Sequence, residues 1–170
     1  VDLVILAGDL TMLDQSTKDL IGPFVKEKKQ VLIIPGNHES AATVDFLANY
    51  YEIKNIHGYS FQKGDLGIFG AGGGDVIFKT RDSEIFELLK RGNEKIKNSK
   101  KKIMVTHMHP KNSRAEFSGF EGSHAVRKAI KEFHPDILIS AHIHEAGGVE
   151  EKIGKTKVIN VSRNPAIFEI

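Results

Sequence analysis

Four short apolar runs, each stopping at a polar residue able to hold a metal, constrain this chain more than any other feature. They read VILAGD, ending at Asp9; LIIPGNHE, carrying Asn37 and His38; IMVTHMH, reaching His107; and LISAHIH, ending in His142 and His144. Runs of Val, Ile and Leu without alternation read as strands buried on both faces, the mark of a parallel sheet covered by helices. In open sheets of that kind ligands bind beyond the carboxyl ends of the strands, where the loops converge. Taken singly, each run has an ordinary reading. Gly-Asp is usually a turn, Gly-Asn-His a strand-to-helix bend, and a lone His a satisfied polar residue. His142 and His144 weigh more, because side chains two apart on extended backbone share a face. What argues for one site is the coincidence of Asp, Asn and three His at equivalent strand ends.

Between these runs the pattern alternates. Residues 1–7 predict a strand. Residues 16–28 predict a helical stretch that Gly22-Pro23 kinks or delays, residues 31–34 a second strand, and residues 40–50 a helix capped by Ser40. Residues 59–63 and 66–70 flank Gly64-Asp65 as a hairpin, and the glycines of residues 70–74 predict a flexible loop. A charged amphipathic helix over 82–98 follows, then a strand over 103–106 and a helix over 125–133 stopped by His134-Pro135. Residues 137–140 predict a strand, 149–153 and 157–161 a second hairpin, and 167–170 a last strand. Strand and helix in this order predict an α/β fold with some antiparallel pairing.

A chain of 170 residues suits one domain with its own core. Its 24 basic and 22 acidic residues are dispersed along the sequence, so no nucleic-acid footprint stands out. No apolar run approaches the roughly 18 residues of a membrane span and no signal peptide opens the chain, so the expectation is a soluble, cytoplasmic protein that does not engage membranes. The oligomeric state is left open, a dimer included. Cysteine is absent, so any metal must be held by His, Asp, Asn or Glu. Such a donor set, without sulfur, suits Mn, Fe, Zn, Co or Ni. Five donors exceed what one tetrahedral ion needs, and two ions roughly 3.5 to 4 Å apart are an arrangement used to hydrolyse phosphate esters.

These residues resemble the calcineurin-like metallophosphoesterase superfamily, and its small bacterial and archaeal members above all. The superfamily's pattern is D-x-H, then G-D, G-N-H-[DE], a lone H, and G-H-x-H. Here stand Gly8-Asp9, Gly36-Asn37-His38-Glu39, His107 and Ala141-His142-Ile143-His144, in that order. The resemblance implies a four-layer αββα sandwich, two mixed β-sheets flanked by helices, formed by residues 1–170 as a single domain. It also implies two divalent metal ions in the intact protein. Asp9 would bridge them, Asn37, His107 and His142 would complete the ligands of the second ion, and His144 would serve the first. His38 would face the substrate, to protonate the leaving oxygen or stabilise phosphoryl charge, while Glu39 would orient His38 or favour the following helix. The implied reaction is in-line attack on a phosphomono- or phosphodiester by a metal-bridging hydroxide, the substrate being a small phosphate ester.

The chain departs from the pattern in two places. D-x-H is not found, and the chain begins inside a strand without an initiator Met, so the expectation is a fragment lacking its first strand. Such a fragment would hold one ion, on the His142 side, or none. Ala141 replaces the usual Gly, which is tolerable if its φ is negative. A non-catalytic interaction module on this fold is the competing reading, because a required motif is missing; a nuclease of the same superfamily would call for a basic groove. Outside the motifs, His109 reads as a loop residue, His57, His124 and His134 as surface or capping residues, and Phe117 and Phe120 as packing or pocket-lining residues.

Overall fold

The structure is a computed structural model that describes residues 1–15 and 19–169. The first strand is β1 (Leu3–Leu6), followed by α1 (Gly22–Lys26), β2 (Gln30–Ile33), α2 (Ala41–Tyr50) and β3 (Lys54–Asn55). Then come β4 (Ser60–Lys63), β5 (Leu66–Ala71), α3 (Asp82–Lys95), β6 (Lys101–Thr106), α4 (His124–Phe133), β7 (Ile137–Ser140), β8 (Glu150–Ile153) and β9 (Thr156–Asn160). Short 3₁₀ turns cover Arg114–Ser118 and His144–Ala146.

The strands form two sheets, ordered β1-β2-β3 and β4-β5-β6-β7-β9-β8. Sequence periodicity explains how they stack. Along β2 and just past it, Leu32 and Ile34 join the cluster between the sheets while Ile33 joins the one under α2. Along β6, Ile103 and Val105 face the first of these clusters, and Met104 faces Leu89, Val126 and Phe133 on the far side. Both faces of these strands are therefore buried, which is why they read as continuous apolar runs. Three apolar clusters separate four layers: α1 and α2, the small sheet, the large sheet, and α3 with α4. The αββα sandwich is as expected, with one refinement. The large sheet is mixed, whereas the pairs of the small sheet are both parallel among the described residues.

The ends of elements depart from expectation for local reasons. Strand β1 lies at the edge of the small sheet and is only half-buried, because nothing described pairs with its outer side. Helix α1 starts at Gly22 with Pro23 in its first turn, the one place where a missing N–H costs nothing. Of the stretch expected to be helical, residues 16–18 lie outside the described residues. Residues 167–169 form no strand. Ser40 caps α2 as expected, its Oγ accepting the Thr43 N–H at 3.1 Å. Among the described residues no helix is long and apolar enough to cross a membrane.

The glycines after β5 are buried rather than flexible. A Cβ on Gly72 would lie 1.8 Å from the Pro35 carbonyl oxygen, so glycine is what lets the two loops touch. The same contact is fastened by the Gly73 N–H, which donates to that carbonyl at 3.1 Å. On its other side His57 Nδ1 accepts the Gly72 N–H at 2.9 Å, so this histidine is a structural acceptor and not a surface residue. Burial holds the His57 imidazole below its usual range, against the opposing charges of Glu84 and Asp45. In the unfolded chain the ring regains its ordinary affinity for protons, so below pH about 6.5 the unfolded state binds more of them and stability falls. His57→Gln, which cannot titrate, should reduce the slope of unfolding free energy between pH 6.5 and 5 by up to about 1.4 kcal/mol per pH unit. Chemical denaturation across that range checks this, and an unchanged slope would sink it.

Candidate metal centre

Strands β1 and β2 of the small sheet and β6 and β7 of the large one all end at the same rim, and their following residues converge there. After β1 the chain turns through Gly8 (φ 88°) and Asp9 (φ 54°). A Cβ on Gly8 would meet Gly36 Cα at 2.6 Å, and one on Gly36 would meet Asp9 Oδ1 at 2.1 Å. Two glycines thus let the β1 and β2 loops interlock. In that lock Asp9 Oδ1 accepts the backbone N–H groups of Asn37 and His38 at 2.9 and 3.2 Å.

His107 comes from the other sheet and is fully buried. Its Nδ1 lies 2.9 Å from the Ala7 carbonyl oxygen, an acceptor only, so Nδ1 carries a hydrogen. Nε2 then faces Asn37 Oδ1 at 3.0 Å and Asp9 Oδ1 at 3.3 Å. In a neutral ring that nitrogen presents a lone pair to two oxygens, an arrangement that a cation between them would reconcile. Metal-binding histidines commonly have their tautomer fixed in this way, a backbone carbonyl holding one ring nitrogen while the other meets the remaining ligands. Imidazole, carboxylate and amide oxygen together fit a borderline divalent ion.

His142 completes the group. Ligand atoms of Asp9, His107 and His142 all lie within 4.8 Å of one another, and the rings of His107 and His142 pack edge to face at 5.1 Å. Burial would raise the Asp9 carboxyl, but the hydrogen bond and charge of His107 and the charge of His38 outweigh it and bring the group to about 2. Burial, with His107 nearby, lowers the His142 imidazole to about 4. At neutral pH the site therefore offers an anionic carboxylate and a neutral imidazole, the forms that bind metal.

The shared face expected of His142 and His144 rested on extended backbone, and here the structure differs. Strand β7 stops at Ser140, His142 is left-handed (φ 67°), and His144 opens a 3₁₀ turn and is exposed. The two rings therefore do not share a face, and His144 stands outside the Asp9–His107–His142 group. His38 is half-buried, and its Nδ1 has no hydrogen-bond partner among the described residues. His109 is buried, with Nε2 3.3 Å from the Phe120 carbonyl oxygen, and so fastens the loop after β6. His134 is the left-handed cap of α4 and His124 its exposed first residue.

Two further carboxylates shape the centre. Among the described residues Glu39 makes no hydrogen bond to the His38 ring; its Oε1 accepts the N–H groups of Gly36 and Leu10 at 3.0 and 3.2 Å, clamping the interlocked loops. Burial raises its carboxyl above the usual range, against those two hydrogen bonds. Asp75, at the end of the glycine loop after β5, places Oδ1 3.4 Å from His142 Nε2. Sequence reasoning passed over Asp75, although an acidic residue ending the loop after an apolar strand is the same signal that picked out Asp9.

Two substitutions follow from this arrangement. Glu39→Ala leaves two buried N–H groups without an acceptor and should lower stability by about 2 kcal/mol or more, while Glu39→Gln, which keeps an oxygen there, should lose less than half as much. Equal losses in urea denaturation would refute the clamp. Asp75→Ala frees the His142 ring and should weaken divalent-metal binding about tenfold or more by calorimetry, with unchanged circular dichroism; unaltered affinity would remove Asp75 from the centre.

Comparison with known proteins agrees with this geometry. A family model described as calcineurin-like phosphoesterase matches residues 1–146. Among curated proteins none matches significantly. The solved structure of TT1561 from Thermus thermophilus superposes with a TM-score of 0.71 at 18% identity, over 94% of this chain and 76% of that one. Thermus thermophilus sulfate thiohydrolase SoxB, solved with glycerol, gives a TM-score of 0.58 at 10% identity, over 94% of this chain but only 33% of its own. At such identities the likeness is one of fold. The family match spans most of the sequence and all the residues that build the centre, and the chain therefore belongs to the calcineurin-like phosphoesterase family.

Proposed function

We propose that the protein hydrolyses small phosphate esters, mono- or diesters, at a centre that holds two divalent ions when complete. The observation that carries this reading is the convergence of Asp9, Asn37 and His107, with the His107 tautomer set by a backbone carbonyl. Divalent cations held there supply Lewis-acid charge to the phosphoryl oxygens and the means of generating a nucleophile at neutral pH. The chain's own residues do the rest. Asp9 is fixed by two N–H donors and remains ionised, so it keeps its position and charge when substrate binds. His38 sits on the same loop, its Nδ1 buried without a partner among the described residues, and its ring would give a proton to the leaving oxygen or steady charge on the phosphoryl group. In the net reaction water adds to phosphorus, the phosphorus–oxygen bond to the alcohol breaks, and the departing oxygen takes a proton.

The exposed position of His144 favours a second reading, a scaffold that keeps the fold without turnover. Elemental analysis of the full-length protein, with assays on p-nitrophenyl phosphate and its bis-ester in Mn, separates the two. Turnover above an Asp9→Ala control supports the hydrolase; near-zero metal and no turnover support the scaffold. His38→Ala should leave metal content intact while lowering kcat by roughly 100-fold, the usual scale for losing a general acid. Loss of metal in that variant would instead make His38 a ligand.

A further inference from the structure

Exposed apolar side chains concentrate on three loops that leave the same rim as the metal ligands. After Asp9 come Met12 and Leu13, 59% and 50% exposed; after β5 come Ile77 and Phe78, 47% and 37% exposed; after β6 come Phe117 and Phe120, 66% and 54% exposed. Backbone hydrogen bonds tie these loops to the centre. The Asp14 N–H donates to the His38 carbonyl at 3.1 Å, and the Phe78 N–H donates to the Asn37 carbonyl at 3.2 Å. His109, two residues past His107, is bonded to the Phe120 carbonyl.

Two of these residues are held in a conformation that apolar side chains avoid. Leu13 (φ 57°) and Ile77 (φ 56°) are left-handed, which costs each about 1 to 2 kcal/mol relative to the glycine or asparagine usual there. Neither joins an apolar cluster of the core. Strain kept at exposed apolar residues beside a centre points toward function. The polar groups of the loops are of mixed sign, with Lys79 and Arg81 exposed at the far end of the loop after β5. Lys111 is paired with Glu116 and Glu121 inside its own loop, and Asp75 adds a negative charge beside His142.

We propose that these loops bind the organic half of the substrate, so that the ester taken is one of an apolar alcohol or phenol, an alkyl or aryl phosphate. This rests on the phosphoesterase reading, which places the phosphoryl group at the metals and leaves the ester group to lie against the loops around them. Two of the three apolar loops are thus joined by backbone hydrogen bonds to the loop that carries Asn37 and His38, and the occupant of the three is set by what must be attached to the phosphate.

The test uses the full-length, Mn-loaded protein with 4-nitrophenyl alkyl phosphodiesters from methyl to octyl, and calorimetric binding of methyl to octyl phosphate. Burying part of each methylene should raise kcat/KM roughly twofold per carbon, and the double variant Leu13→Ser, Ile77→Ser should flatten that dependence. Turnover that ignores chain length overturns the apolar site and leaves the hydrolase reading standing. Binding that tightens with chain length without turnover keeps the apolar site and overturns the hydrolase reading. A dimer in sedimentation velocity that the double variant abolishes assigns the loops to a second copy and overturns the proposal, as does a double variant that keeps the full dependence on chain length.

Discussion

The carboxylate of Asp9 is the point on which the arrangement turns. One oxygen accepts two backbone N–H groups from the β2 loop and faces the ring of a histidine at the end of β6. It therefore couples the two sheets at the rim as the cluster around Leu32, Ile68 and Val105 couples them inside. Hydrogen bonds to an ionised acceptor are stronger than neutral ones, about 1.5 to 3 kcal/mol each, and here they are also the means of positioning. None of it forms unless the β1 and β2 loops approach to backbone contact, which Gly8 and Gly36 alone permit.

Around that contact each ligand is steadied by a different neighbour. The Ala7 carbonyl sets the tautomer of His107, Asp75 faces His142, and Glu39 clamps the loop that carries Asn37. The charges are divided in the same sense. Asp9 is held ionised and His142 neutral, so a divalent ion arriving near pH 7 displaces few protons from either. Such preorganisation suits oxygen and nitrogen donors to a cation without a thiolate.

How much of this was legible in the sequence depended on how local each signal is. Buried strands announce themselves as unbroken apolar runs, so β2, β6 and β7 and the polar residues after them could be read directly, and with them the α/β class, while the αββα layering followed only from the family resemblance. Strand β3 has two residues and no pattern to show. The glycines of residues 70–74 looked like slack, because close packing against Pro35 is invisible until the other loop is in place. Asp75 and the clamp by Glu39 depend on chain segments more than twenty residues apart, a kind of information that spacing does not carry. The shared face expected of His142 and His144 failed for a definite reason. Counting by twos presumes extended backbone, and the strand had already ended.

That ending also explains why Ala141 can stand where the related motif has glycine. A left-handed residue is needed to swing the chain off β7 toward the metal, and glycine would supply it at little cost. In this chain Ala141 keeps a negative φ and stays packed, 6% exposed, while the turn is taken one residue later by His142 itself. The strain is thus in the residue that joins the centre. Asp9 shows the same choice on the opposite sheet, left-handed at the same rim. A residue in that region costs about 1 to 2 kcal/mol, small against a core whose Ile33, Phe69, Met104 and Leu138 are wholly buried. With the strain borne at these two residues, their ligand atoms and that of His107 lie within 4.8 Å of one another although Asp9 and His142 follow strands of different sheets.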